Sequence, residues 1–94
     1  MRKRQRTESL IQELASGFIA EHTTGKSLLT VVDVRLSSDQ RTARIFVSVF
    51  PHEHEGEAQS FLTRQGREFR GYMMEHARLM HVPFMEFVVG SSVV

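Results

Sequence analysis

Thr42-Ala43-Arg44-Ile45-Phe46-Val47-Ser48-Val49-Phe50 is the stretch on which the fold turns. Ala43, Ile45, Val47 and Val49 alternate with Thr42, Arg44, Phe46 and Ser48. A period of two marks a strand with one face on a core. Leu28 to Leu36, rich in β-branched residues, precedes it, and Ser37-Ser38-Asp39-Gln40-Arg41 supplies turn-forming side chains between the two. Together they read as a β-hairpin.

Working outward, Leu10, Ile11, Leu14, Phe18 and Ile19 recur at helical spacing. They predict a first helix from about residue 4 to 21, ending before Thr23-Thr24-Gly25. On the other side, Pro51 to Gly56 reads as a polar loop. Helical spacing returns from Glu57 to Met80 through Phe61, Leu62, Phe69, Tyr72, Met73, His76 and Met80. Gly66 falls near the middle of that run and predicts two helices joined at a kink. Pro83 stops the helix, and Phe84 to Val89 alternates as a third strand with Met85, Phe87 and Val89 on one side. The expected fold class is α+β, in the order α–β–β–α–kink–α–β: a three-stranded sheet with helices packed on one face. One domain takes in residues 1–94.

Composition narrows the function classes. The chain is 40% hydrophobic and 24% charged, an ordinary globular balance. It has no cysteine, which rules out disulfides and thiolate metal sites. No apolar run approaches the roughly 20 residues of a membrane span, and the basic N-terminus leads into no apolar signal core. The reading is a cytoplasmic protein with no membrane partner. No Gly-rich phosphate loop or nucleophile elbow is present, and Glu53, Glu55 and Glu57 crowd into one solvated loop. The expectation is no enzyme, no cofactor and no small-molecule substrate. His52 and His54, two apart in an extended segment, would point to the same side, but spacing supplies no third ligand. They read as part of a solvated loop, not a metal site. His76 reads as a partly buried packing residue, and Met73, Met80 and Met85 as core.

The net charge of +1 hides an uneven distribution. All but Lys3 and Lys26 of the twelve basic side chains are arginine, the residue that binds phosphate bidentately and stacks on bases. Arg2, Lys3, Arg4 and Arg6 crowd the N-terminus, and Arg35, Arg41 and Arg44 lie on the outward side of the hairpin. At 100° per residue, Arg64, Arg67 and Arg78 fall within about 60° of one another on a helical wheel, with Arg70 at the margin. Three such groups suit a phosphate-contacting surface. Phe46 and Phe50 share a strand face, but no RRM-type consensus surrounds them. Any RNA binding would rest on shape and phosphate. A second reading stays open: a protein-interaction or dimerisation module using Phe46, Phe50 and the strand edges.

The order of elements, with Leu29-Thr30-Val31-Val32-Asp33-Val34, Ser38-Asp39, Ala43-Arg44-Ile45-Phe46-Val47-Ser48-Val49, Gly66-Arg67-Glu68-Phe69-Arg70, Arg78-Leu79 and Val82-Pro83, resembles the bacterial ribosome-binding factor A family over roughly residues 4 to 92. The resemblance implies a type II KH-like fold in which a helix–kink–helix replaces the G-x-x-G loop. It implies a factor that binds the free small (30S) ribosomal subunit, contacts its 16S rRNA, and assists late maturation and 5′-end processing, particularly in the cold; the expected state of the chain is a monomer. The family's kink carries Ala-x-Gly. Here Gly66 supplies the glycine and Arg64 stands at the alanine position. Thr23-Thr24-Gly25-Lys26 stands where the family usually has Asp-Pro, and Gly90 where it usually has Asp.

Overall fold

The structure, a computed structural model, describes residues 3–22 and 27–90, with the side chains of 5–21 and 27–90. Its elements are α1 (Lys3–His22), β1 (Leu28–Leu36), β2 (Thr42–Phe50), α2 (Glu55–His76) and β3 (Phe84–Val89). The sheet order is β1-β2-β3. β1 pairs antiparallel with β2, and β2 pairs parallel with β3. A parallel neighbour needs a crossover, and α2 provides it. The α+β class, the three-stranded sheet and the placement of the helices on one face agree with the sequence reading.

The alternation in β2 does what its period requires. Ala43, Ile45, Val47 and Val49 are all buried, and they meet Val31, Val34 and Leu36 of β1 and Phe87 of β3. β1 departs from strict alternation because the register shifts between Val31 and Asp33. The extra residue there, Val32, is left exposed. A bulge of this kind lets Val31 and Val34, three apart, both face the core.

α1 covers this face with Ile11, Ala15, Phe18 and Ile19, and α2 with Ala58, Leu62, Phe69 and Met73. The helices meet through aromatic rings: Phe18 lies 5.1 Å from Phe69 and 5.4 Å from Tyr72, centroid to centroid. Phe69 is fully buried at this junction. Truncating such a ring to alanine costs about 3–5 kcal/mol.

Three sequence expectations are corrected. The segment after β2 is not a loop through Gly56: a 3-10 turn spans His52–His54, and α2 begins at Glu55. Glu55 and Glu57 occupy its first turn, where carboxylates favour the positive end of the helix dipole. Nor do two helices meet at Gly66, because α2 runs through it as one helix. Ala58 and Leu62 before Gly66 and Phe69 and Met73 after it fall within an arc of about 60° at 100° per residue. One continuous phase therefore serves the core on both sides of the glycine. Finally, α2 stops at His76 and not at Met80, since Ala77 is extended. Met80 is consequently 91% exposed and not core, whereas Met73 is buried and Met85 packs against the core as expected. Among the described residues no helix is long and apolar enough to cross a membrane.

Candidate nucleic-acid interface

The helices leave the other face of the sheet open. It displays Leu28, Thr30, Asp33 and Arg35 from β1, Arg44, Phe46, Ser48 and Phe50 from β2, and Phe84, Glu86 and Val88 from β3. Arg35 and Arg44 stand directly opposite each other in the register. Two like charges so placed repel, and each is matched by an acid. Arg35 Nε lies 2.8 Å from Asp33 Oδ2, and Arg44 Nε lies 2.9 Å from Glu86 Oε1. The face thus carries arginines but little net field. Phe50, Phe84 and Leu28 are large apolar groups exposed on it. Phe84 and the partner acid Glu86 were not singled out by sequence. Their position depends on the parallel register of β2 with β3, which no local pattern encodes.

Arg41 closes the hairpin turn. Ser37 N donates to Thr42 O at 2.9 Å, and Gln40 takes a left-handed φ of 60°. Asp39 organises the turn, accepting from the Ser37 hydroxyl at 2.6 Å and the Arg41 amide at 3.0 Å. The Ser37 hydroxyl first, and then the Arg41 amide, hold its carboxyl below the usual carboxylate range. The Arg41 guanidinium is only loosely associated, 4.0 Å from Asp39 Oδ2.

The helix arginines are in a different state. Arg64 and Arg67 are exposed on α2, three residues apart and so on one side of it, and among the described residues neither forms an ion pair. Arg78 is also exposed, but it lies beyond the end of α2. The helical wheel therefore does not place it with Arg64 and Arg67; it belongs to the loop that follows them. Arg70 is half-buried, with Nη2 donating to Val82 O at 3.2 Å and Nε buried without a partner. Its first duty is to hold the α2–β3 loop. Arg6 is exposed on α1; Arg2 lies outside the described residues, as do the side chains of Lys3 and Arg4.

The histidines go to separate neighbours. His54 Nδ1 sits 2.7 Å from Ser27 Oγ, and His52 Nδ1 sits 3.3 Å from Glu55 Oε2. His76 is exposed, contrary to the packing role read from its phase. Its ring stacks on Tyr72 at 4.1 Å, and Nδ1 lies 2.9 Å from Tyr72 O. Among the described residues no three potential metal ligands gather at one point.

This arrangement has relatives. The model of the family described as ribosome-binding factor A matches residues 3–94. This chain belongs to the ribosome-binding factor A family. It is 33% identical over 90 residues to ribosome-binding factor A of Chlorobium phaeovibrioides, covering 92% of this chain and 76% of that protein. It is 35% identical over 66 residues to the Brevibacillus brevis member, covering 69% of this chain and 54% of that one. The crystal structure of ribosome-binding factor A from Thermus thermophilus superposes with a TM-score of 0.82 at 25% identity, covering 94% of this chain and 97% of that one. A homology model of the Thermus thermophilus factor, fitted into the cryo-EM map of a 30S–RbfA complex, shares the fold with a TM-score of 0.76 at 24% identity, over 92% of this chain and 93% of that one. The KH-like fold expected from the resemblance agrees with these neighbours.

Proposed function

We propose that this chain is a non-catalytic assembly factor that docks on the free small ribosomal subunit and contacts its 16S rRNA. It assists late maturation and 5′-end processing, with its main effect in the cold, and works in the cytoplasm as a monomer. The observation that carries the reading is the pair Arg64 and Arg67, exposed on one side of α2 without carboxylate partners among the described residues. Arg78 follows in the next loop. Family membership supports the choice of the ribosome, and a Thermus thermophilus relative has been fitted into a 30S complex. Unpaired guanidiniums bind phosphates by releasing condensed counterions, so affinity falls as salt rises. The arginine at position 64, where the family has alanine, adds to this surface. Gly66 lies between Arg64 and Arg67, and we assign it the role of letting the helix bend when it meets the rRNA backbone.

Sedimentation with isolated small and large subunits tests the reading. Binding to small subunits alone is expected, with a log–log salt slope of about −2 to −3 for three phosphate contacts. Salt-insensitive binding, or none to small subunits at low salt, would overturn it.

A dimerisation module is the second reading, favoured by Leu28 and Phe50, which face each other across β1 and β2 and are 67% and 68% exposed. Light scattering decides it: a mass that doubles with concentration, and no affinity for subunits, would replace the first reading.

A further inference from the structure

Two phenylalanines, Phe84 and Phe50, stand exposed at opposite ends of the open sheet face. Phe84 pairs with Thr42 at the start of β2, and Phe50 closes that strand beside Leu28, so about 27 Å of strand separates them. Their surroundings differ in sign. Phe50 runs into Pro51 to Glu57, which holds Glu53, Glu55 and Glu57 and no arginine or lysine. Phe84 follows residues 77–83, which hold Arg78 and His81 and no acid. Its amide donates to Arg41 O at 2.8 Å, which sets the hairpin turn against it. Arg78 forms no ion pair among the described residues, and Arg41 only the loose one at 4.0 Å. The acids at this end are engaged: Asp39 accepts from the Ser37 hydroxyl and the Arg41 amide, and Glu86 Oε1 lies 2.9 Å from Arg44 Nε. Phe84 is also firmly mounted. Pro83 before it is buried, Leu79 and Val82 pack against the core, and Arg70 Nη2 holds Val82 O at 3.2 Å. Among the described residues no other ring stacks on it.

We infer that Phe84 is a stacking platform for one unpaired base of the RNA, with Arg41 and Arg78 available to the phosphates on either side of it. Aromatic rings take splayed-out bases face to face, and guanidiniums take the flanking phosphates. Phenylalanine carries no hydrogen-bonding group, so the contact accepts any base and adds affinity without sequence choice. The Phe50 end is equally apolar, but its acids repel the same strand. A second copy of this chain docked on the Phe84 end would bring Arg41 and Arg78 toward their own counterparts, and like-charge repulsion disfavours that pairing. The inference rests on the rRNA reading for the identity of the strand, and it adds a base contact to a surface otherwise built on phosphate.

The chain has no tryptophan, so Phe84→Trp and Phe50→Trp each place a single reporter at one end of the face. A short oligouridylate at low salt should quench the fluorescence of Phe84→Trp and leave that of Phe50→Trp unchanged. Isolated small subunits should give the same contrast. Phe84→Ala should weaken oligouridylate binding about tenfold, as the loss of one base stack would, with the salt slope as it was. Circular dichroism checks the fold. Phe84→Leu keeps an apolar side chain in the strand but no π face, and should weaken binding nearly as much. Equal quenching of the two tryptophan variants, or full affinity in Phe84→Leu, overturns the proposal. So does self-association that Phe84→Ala abolishes, with no response to oligouridylate. Sedimentation separates this site from the ribosomal reading. Binding to small subunits without quenching sinks the base site alone. Quenching by oligouridylate without binding to small subunits sinks the ribosomal reading and leaves an RNA site, and no response to either overturns both.

Discussion

On the open face of the sheet each strand arginine has a carboxylate beside it, Arg35 with Asp33 and Arg44 with Glu86, while on α2 Arg64 and Arg67 stand without one among the described residues. All four side chains reach solvent, and a count of charges would rank the two regions equally. They differ in what a phosphate must displace. At Arg64 or Arg67 it displaces only water and mobile ions. At Arg35 or Arg44 it competes with a carboxylate already within 3 Å. Surface ion pairs are worth only about 0–1 kcal/mol each. Their larger effect here is to cancel the local field that draws a polyanion in. The distinction separates a helix whose arginines are unmatched among the described residues from a self-neutralised sheet, although both supply arginines.

Reversing the helix charges should have the largest effect. Arg64→Glu, Arg67→Glu and Arg78→Glu together should weaken small-subunit binding on the order of a hundredfold. Circular dichroism should show the fold unchanged, because none of the three is buried. If the same set leaves sedimentation intact, the contrast between the regions fails. Arg70 gives a smaller effect of another kind. Arg70→Met frees the Val82 carbonyl and should destabilise the fold by about 1–2 kcal/mol in urea denaturation, while the salt slope of binding stays as it was. A shallower slope would place Arg70 among the phosphate contacts after all.

The sheet side of the comparison predicts a gain. Asp33→Asn with Glu86→Gln leaves Arg35 and Arg44 in place but unmatched. Binding to small subunits should tighten by about fivefold, with a steeper salt slope, as the freed guanidiniums become available to phosphate. Filter binding across a salt series measures both. No change would mean that the sheet face points away from the rRNA, which restricts the contact to the helix side.

Much of this was readable from local pattern, and the exceptions share a cause. The hairpin followed from the period of two in Thr42 to Phe50, and α1 from its apolar stripe. The end of α2 did not, because Met80 continues the apolar phase of Met73 and only tertiary contact ends the helix sooner. Arg70 holds Val82, and Ala77 turns extended before Met80 is reached. The start of α2 was hidden for the opposite reason: Glu55 and Glu57 look like a loop by charge, but they stabilise a helix N-terminus. At Gly66 the local cost of a helical glycine, about 1 kcal/mol, is small beside the burial of Leu62 and Phe69 on either side. The arginines were found by type and position, whereas their partners were not. Arg44 and Glu86 are distant in sequence and meet only through the parallel register.

The smallest effect lies at the turn, where Arg41 falls between the two classes. Its guanidinium is 4.0 Å from Asp39, while its backbone amide is firmly held by the same carboxylate. The Asp39 carboxyl is depressed below 3.8 by the Ser37 hydroxyl and then the Arg41 amide. A depressed carboxylate stabilises the folded chain above its unfolded pKa and loses that contribution as pH falls through the folded value. The native chain should therefore be slightly more stable than Asp39→Ala near neutral pH, with the gap closing only below 3.8. Thermal melts of the two proteins across an acid series measure this. A gap that closed near pH 6 would point to a histidine instead. The same variant also leaves Arg41 without its acid, so its affinity for small subunits at neutral pH shows whether even a loose ion pair is enough to withhold an arginine from RNA.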